Sequence, residues 1–205
     1  MGRDGTRHFV TSHMSISLDG FVAGPDQSEE DPLGVDGIKL HGWHLDDPKH
    51  PVDEAFTQRL LAPRGAYIMG RKMFGPVRGD WGASDWRGWW GPEPPYHAPV
   101  FVLTHYPHDP IEMEGGTTFH FAGSFEAALA EATKVAGDRP IDIAGGASAV
   151  RQALQAGCLD ELVLDVVPVV LGRGERLFDD VTELHAEPVE VATSPRATHI
   201  VYRFR

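Results

Sequence analysis

Short apolar runs alternate with helix-like patterns along this chain, and most of the runs end at glycine or at other turn residues. Residues 8–18 begin as a β-rich stretch and stop at Asp19-Gly20, which is a turn signal. Residues 66–69 form an apolar run that ends at Gly70, as buried strands of parallel sheets do. The same reasoning predicts further strands over residues 99–104, 117–121, 141–144, 161–167, 189–193 and 198–204.

Helical periodicity appears between these runs. Residues 52–62 space Phe56 and Leu60 onto one face, and residues 125–136 follow Ser124, a residue type that caps helix N-termini. A third helix starts after Gly146 and stops at Gly157. Strands that alternate with helices predict an α/β fold with a mostly parallel central sheet, helices on both faces and antiparallel strands at the C-terminus.

Two long segments lack either pattern. Residues 24–51 carry many Gly, Pro and Asp, so we predict an irregular excursion that covers a cleft. Residues 79–99 form a second long loop that holds four of the five tryptophans. These rings are expected to cover a site or fill a gap under the loop, with a partner surface or a membrane anchor as the alternatives.

Composition narrows the class of protein. A chain of 205 residues, 41% hydrophobic and 23% charged, predicts one globular domain over residues 1–205. The net charge of −12 argues against a nucleic-acid partner, and the single Cys158 excludes an internal disulfide. The N-terminal residues show no signal-peptide pattern, and no apolar run is long enough to cross a membrane. We therefore expect a soluble cytoplasmic protein.

Two strand ends carry residues that suit a phosphate. Arg71 and Lys72 follow the strand that ends at Gly70, and parallel strands present ligand sites at their carboxyl ends. Gly145 and Gly146 separate another strand from a helix, so a bound group could approach the backbone and the helix N-terminus. Each feature also has an ordinary explanation, a solvated helix start in the first case and a tight turn in the second.

Five motifs in order extend this pattern along nearly the whole chain. They read SISLDGFVAG, MGRKMF, FVLTH, IAGGASAV and DELVLDVVPVVLGRGERLF. This set resembles the dihydrofolate reductase superfamily, and more closely the branch that contains the reductase domain of bacterial riboflavin-biosynthesis deaminase-reductases. The resemblance implies a dihydrofolate reductase-like three-layer sandwich with NADPH lying across the strand ends, and NADH as the alternative cofactor.

The resemblance also implies roles for individual residues. Gly70, Arg71 and Lys72 match residues that grip the cofactor phosphates, and Thr104 and His105 match the region that reads the adenosine 2′-phosphate. The residues that match the pyrophosphate turn are Ala144, Gly145, Gly146, Ala147 and Ser148. Those that match the residues beside the nicotinamide are Ser15, Val22 and Ala23. This chain departs from the family pattern at Met73, where a hydroxyl residue is frequent, and at His105, where an arginine is common.

A carboxylate on the first long helix is the expected catalytic group. In dihydrofolate reductases such a carboxylate lies behind the pterin, and the resemblance places it at Glu54, one helical turn before Gln58. Glu54 could equally favour the first turn of the helix as acids generally do. Leu171, Gly172 and Gly174 are expected to line the substrate site, because the equivalent loop of the family lies near substrate and nicotinamide.

The combined interpretation is an NAD(P)H-dependent reductase that acts on a heterocycle or a small C=N or C=O substrate, pterin-like or a riboflavin-pathway pyrimidine. The alternative is a ligand-binding protein that keeps the fold without the chemistry. A ribose phosphate on the substrate would call on the close pair Arg173 and Arg176. We expect no metal, since three loop histidines without a nearby carboxylate pattern are weak ligands. The resemblance further implies a homodimer.

Overall fold

A nine-stranded sheet forms the centre of the molecule in the computed structural model, which describes residues 7–82 and 84–204. The order of the strands across this sheet is β10-β11-β8-β1-β7-β3-β4-β6-β5. Two further strands, β2 and β9, pair antiparallel in a small separate sheet. The strands are β1 (Val10–Ser17), β2 (Phe21–Ala23), β3 (Ala66–Gly70), β4 (Pro99–Leu103), β5 (Ile111–Glu112), β6 (Thr118–Ala122), β7 (Ile141–Gly145), β8 (Glu161–Val167), β9 (Glu175–Arg176), β10 (Ala186–Thr193) and β11 (Thr198–Phe204).

The direction of the strands confirms the predicted fold class. Strands β8, β1, β7, β3, β4 and β6 run parallel to one another. Strand β11 runs antiparallel to β8, and β10 runs antiparallel to β11. Because parallel strands end at the same edge of a sheet, the carboxyl ends of β1, β3, β4 and β7 come together there.

Five α-helices and two short 3-10 helices lie among the described residues. The α-helices are α1 (Gly42–Leu45), α2 (Pro51–Leu60), α3 (Arg71–Phe74), α4 (Phe125–Val135) and α5 (Ala147–Gln155). The hydroxyl of Ser124 accepts a hydrogen bond of 3.2 Å from the Ala127 N–H, which confirms the predicted cap of α4. None of these helices is long and apolar enough to cross a membrane.

The excursion over residues 24–51 is more ordered than predicted. It contains a 3-10 helix at Gly37–His41 that continues into α1. Leu40 and Trp43 from this segment are fully buried, so the hydrophobic effect fixes it on the sheet despite its Gly, Pro and Asp content. The start of the N-terminal segment, where no signal-peptide pattern was found, lies outside the described residues.

The two faces of the sheet are covered differently. Helices α4 and α5 pack on one face over a continuous main core. The opposite face carries two separate groups of buried side chains. We call them the aromatic cluster (Tyr67, Met69, Phe74, Trp81, Ala98, Val100, Val102, Ile111 and Phe119) and the helix cluster (Leu40, Trp43, Phe56, Val163, Val167, Ala197 and Val201). The middle strands lie between them.

Candidate active site

A cavity of about 810 Å³ opens on this second face of the sheet. Side chains of four adjacent strands line it: Asp165 of β8, His13 of β1, Asp142 of β7 and Tyr67 of β3. Residues of the helix-cluster side and of the tryptophan-rich loop also line it, and these include His41, His44, Leu60, Trp89, Trp90 and Tyr96. The cavity extends to the carboxyl ends of β3, β4 and β7.

Arg71 lines the end of the cavity that lies at the strand termini. Its guanidinium lies 3.4 Å from the centroid of the Trp81 ring, and its Nη1 donates a hydrogen bond of 2.7 Å to the Thr104 hydroxyl. The other amino group, Nη2, is buried and has no hydrogen-bond partner within residues 7–82 and 84–204. Burial lowers the pKa of Arg71, and the nearby Arg78 lowers it further. An anion in the cavity would supply the missing acceptor and offset both effects.

The glycine turn after β7 supplies a second anion-binding element. Gly145 has a φ of 127°, a conformation that side chains strongly disfavour. At Gly146 an added Cβ would meet no protein atom within 4 Å, so the space beside this residue is open. Helix α5 begins directly afterwards, and its first backbone N–H groups have no intrahelical acceptors. The turn therefore presents free donors and a positive dipole end to the cavity.

All thirteen residues predicted to contact the cofactor line this one cavity. They are Ser15, Val22, Ala23, Gly70, Arg71, Lys72, Thr104, His105, Ala144, Gly145, Gly146, Ala147 and Ser148. The ammonium group of Lys72 forms an ion pair with Glu175, which also lines the cavity. His105 is exposed at the rim. The structure thus brings the predicted set together, although no ligand contact is observed.

The structure does not bring Glu54 to the cavity, which corrects the predicted catalytic position. Helix α2 packs on the sheet through Asp53 and Phe56, which are buried, and this phase turns Glu54 and Gln58 toward solvent. The buried carboxylate of α2 is therefore Asp53, one residue earlier. A helix advances about 100° per residue, so a shift of one position changes the face that a side chain occupies.

Leu171, Gly172 and Gly174 also do not line the cavity, which corrects their predicted role. The Asp19 carboxylate accepts hydrogen bonds from the Leu171 N–H at 3.1 Å and from the Gly172 N–H at 2.6 Å. The side chain of Ser17 donates to the same carboxylate, and together these bonds lower the pKa of Asp19 to about 2. Asp19 therefore holds the loop against the β1–β2 turn.

A row of four buried polar side chains was missed by the sequence prediction. His13 Nε2 lies 2.8 Å from Asp165 Oδ2, His199 Nδ1 lies 2.7 Å from Asp165 Oδ1, and His199 Nε2 lies 2.9 Å from Asp53 Oδ1. We call this set the His–Asp row. His13 and Asp165 line the cavity, whereas His199 and Asp53 lie behind them at 0% side-chain exposure. One buried imidazole is thereby placed between two carboxylates.

The protonation of the His–Asp row follows from competing effects. Burial alone would raise the pKa of Asp165, but the nearby His13 and the hydrogen-bonded His199 outweigh it and lower that pKa. Burial alone would lower the pKa of His199, but its bonds to Asp165 and Asp53 outweigh it and raise that pKa. His199 is therefore stabilised as a cation between two carboxylates.

His41 and His44 lie together at the wall of the cavity, where His41 Nδ1 is 3.0 Å from His44 Nε2. Burial and the neighbouring His44 lower the pKa of His41 to about 4, and burial also lowers the pKa of His44. Both rings are therefore neutral near pH 7. The described part of the chain contains no group of three or more His, Cys, Asp or Glu arranged to hold a metal ion.

A family model for the RibD C-terminal domain matches residues 8–200 of this sequence. The chain belongs to the RibD C-terminal domain family. The match covers all strands of the sheet except the last part of β11, and it includes every residue of the cavity and of the His–Asp row. No curated protein matched the sequence.

Solved structures show the same dihydrofolate reductase-like fold. A Shewanella sp. PV-4 protein described as a riboflavin biosynthesis protein is 21% identical with a TM-score of 0.63, over 95% of this chain and 98% of that one. A diaminohydroxyphosphoribosylaminopyrimidine deaminase/5-amino-6-(5-phosphoribosylamino)uracil reductase of Thermotoga maritima is 15% identical with a TM-score of 0.61, over 96% of this chain and 56% of that one. The chain thus spans a little over half of that protein.

The likeness extends to a dihydrofolate reductase. The Enterococcus faecalis enzyme, whose structure contains NADP(H), is 17% identical with a TM-score of 0.54, over 95% of each chain. At this identity the comparison shows the fold alone. The predicted superfamily and branch are both confirmed by these matches and by the RibD family model.

Proposed function

We propose that this protein is an NADPH-dependent reductase that transfers hydride to a heterocyclic or small C=N or C=O substrate. One observation carries the proposal: a single cavity joins an anion-binding end at the strand termini to a polar surface on four adjacent strands. A dinucleotide needs the first feature for its phosphates, and a reacting substrate needs the second. Membership of the RibD C-terminal domain family supports the reductase class.

The residues at the strand termini fit a dinucleotide phosphate. The buried Nη2 of Arg71 lacks an acceptor among the described residues, and the open space beside Gly146 gives a phosphate access to the start of α5. Thr104 would hold Arg71 in position through its 2.7 Å hydrogen bond. A bound nicotinamide cofactor would supply hydride to the substrate carbon.

The chain itself would bind, orient and shield the reactants. Trp89, Trp90 and Tyr96 line the cavity and cover one side of it, which limits access of water. Asp165 and Asp142 present carboxyl groups that can accept hydrogen bonds from a heterocycle. A proton must reach the substrate atom next to the reduced carbon, and Glu54 is too exposed to deliver it.

The distribution of charge favours a substrate without a phosphate group. The lysine and arginine residues that line the cavity are Arg71, Lys72 and Arg78, all from one segment at the cofactor end. Arg173 and Arg176, the pair considered for a ribose phosphate, do not line it. The carboxyl groups of Asp142 and Asp165 line the other end instead, and they disfavour a phosphate there.

Catalysis is tested by loss of NADPH absorbance with a substrate panel: dihydrofolate, 1-pyrroline, 5-amino-6-ribosylaminouracil and the 5-phosphate of the last compound. We expect turnover with an unphosphorylated member and a melting temperature that rises with NADPH, because ligand binding to the native state stabilises it. Binding of NADPH without any turnover would favour the alternative, a non-catalytic ligand-binding protein. Absence of NADPH binding would refute both the cofactor assignment and the enzyme function.

We further propose that the protein is a cytoplasmic homodimer that pairs through β10. This strand forms one edge of the sheet, and its Val189 and Val191 are more than half exposed. Unpaired edge strands with exposed apolar side chains favour association with a second chain. Light scattering after size-exclusion chromatography should give twice the chain mass for the wild type and the chain mass for Val191→Lys.

A further inference from the structure

We propose that His13 is the catalytic residue that donates a proton to the substrate, and that Asp165, His199 and Asp53 are positioning residues that hold its ring. The proposal rests on the proposed reductase function and supplies the proton donor that Glu54 does not provide. Of these four side chains only Asp165 lies within one of the five family motifs, and the resemblance gave it no role.

The geometry of the His–Asp row leads from the interior to the cavity. Its members come from four elements, α2, β11, β8 and β1, and successive members are 2.7 to 2.9 Å apart. His13 stands at the cavity end with a side-chain exposure of 4%, and Asp165 has 1%. A buried imidazole that is backed by a carboxylate is held in one orientation, which is the usual arrangement for general acid or base histidines.

His13 also has unused hydrogen-bonding capacity. Although its Nε2 lies at ion-pair distance from Asp165, neither ring nitrogen makes an aligned hydrogen bond within residues 7–82 and 84–204. Buried polar groups without partners are uncommon because each costs free energy. We infer that a substrate nitrogen or oxygen bound against the His13 ring is the missing partner of Nδ1.

The formal charge of the His–Asp row suits a donor that is protonated again after each turnover. With both carboxylates ionised and His199 protonated, the three inner members carry a net charge of −1. A proton on His13 brings the row to zero, and its loss restores −1.

Other titratable groups face His13, and they are weaker candidates. His44 on α1 and His41 on the 3-10 helix are kept neutral by burial, which lowers both pKa values. Asp142 on β7 is the rival donor, because burial raises its pKa while Thr11 donates a 2.6 Å hydrogen bond to it. Asp142 lies near the start of β7, in register with Thr11 and two residues before the level of His13.

The proposed step balances as follows. A bound nicotinamide cofactor would supply hydride to the carbon of a C=N or C=O group, and the π electron pair of that bond would move to the nitrogen or oxygen. The Nδ1–H of His13 then transfers its proton to that atom, which leaves an amine or alcohol, NADP⁺ and a neutral imidazole. Solvent returns a proton to His13 before the next turnover.

The test uses the panel member that turns over fastest, at saturating NADPH. We expect His13→Gln to lower kcat by about 100-fold to 10,000-fold without changing the Kd of NADPH, since glutamine cannot donate a proton. In the wild type kcat should fall as the pH rises, because the donor loses its proton, and His13→Gln should remove this dependence. Added imidazole should partly restore His13→Ala. The matched control is His120→Gln, a strand histidine outside this cavity.

Three results would overturn the proposal. The first is a wild-type pH profile in the folded His13→Gln variant, and the second is loss of that profile in Asp142→Asn instead. The third needs no substrate: if imidazole nitrogen NMR of the full chain gives the same His13 signals in Asp165→Asn as in the wild type, Asp165 does not hold the His13 ring. This result would stand even if no panel member is reduced, a failure that would concern the proposed function alone.

Discussion

Arg71 illustrates how a single residue can be prepared for a ligand. Its guanidinium is stacked on Trp81 and anchored at Thr104, so little side-chain freedom remains to be lost when an anion binds. The unpaired Nη2 adds a free donor at the same place. The sequence motif indicated a basic residue at a strand end, but the aromatic ring that orients it lies in the loop ten residues later.

We expect Arg71→Ala to weaken NADPH binding by about 1.5 to 3 kcal/mol, because a charge-assisted hydrogen bond is lost. Titration of the protein with NADPH at low salt, followed by fluorescence, measures this change. Arg139→Ala removes an exposed arginine outside the cavity and should leave the Kd unchanged. An equal Kd for Arg71→Ala and the wild type would remove Arg71 from the phosphate site.

Part of the His–Asp row could have been predicted from the sequence. One face of strand β1 carries the polar residues Thr11, His13, Ser15 and Ser17, and Asp165 interrupts the apolar run of β8. An acid in the middle of a buried strand requires a partner, because an unpaired buried charge is too costly. The sequence could therefore have indicated that Asp165 is paired, but not that two histidines from β1 and β11 meet it, since this depends on the order of the strands.

At the scale of elements, the strand-to-helix turn before α5 contains two glycines, one needed by the backbone and one needed by the ligand site. The φ of 127° at Gly145 favours glycine, whereas Gly146 has an ordinary φ of −74° and open space for a side chain. The two glycines therefore have different reasons to be there. The first meets a requirement of the backbone, and the second keeps the approach to the helix N-terminus clear.

Gly146→Val should fold with a melting temperature close to that of the wild type and lose NADPH binding by at least about tenfold. The added side chain would occupy the space through which a phosphate reaches the backbone N–H groups. Circular dichroism and an NADPH titration check the two halves of this expectation. The control Ala156→Val places the same side chain at the exposed far end of α5. Normal NADPH binding by folded Gly146→Val would make the turn purely structural.

Elements with strong periodicity were predicted well, and the face of α2 with Phe56 and Leu60 packs on the sheet as predicted. The helix predicted over residues 52–62 is α2 (Pro51–Leu60), and the strand predicted over residues 66–69 is β3 (Ala66–Gly70). The face of α2 that meets the sheet is set by Asp53, a polar residue that hydrophobic patterning assigns to solvent. The position of Glu54 came from the family resemblance and not from this periodicity, and Glu54 lies one residue after the buried Asp53.

At the scale of the whole molecule, the His–Asp row links stability to pH. The lowered pKa of Asp165 contributes stability above its ordinary value of 3.8, which is lost as the pH falls through the folded-state pKa. The raised pKa of His199 contributes stability that is complete below its ordinary value of 6.5, and this is lost as the pH rises through the folded-state pKa. The row therefore contributes most between these two values.

We expect His199→Gln to lower the free energy of unfolding by about 3 to 5 kcal/mol near pH 6, because two buried carboxylates lose their shared cation. Urea denaturation at several pH values measures this, and the variant should also lose the decline in stability that the row causes above pH 6.5. His120→Gln again serves as the control. A decline of equal size in wild type and His199→Gln would assign the pH dependence to other groups.

The aromatic cluster and the helix cluster are separate, so one face of the sheet has two packed regions with a gap between them. Strands β3, β4 and β6 belong to the aromatic cluster, and β8 and β11 belong to the helix cluster. Their shared floor is formed by β1 and β7, and the cavity lies directly above it. A ligand bound there would contact residues of both clusters at once. Its binding would therefore link the two halves of the sheet and restrict any twisting of one half against the other.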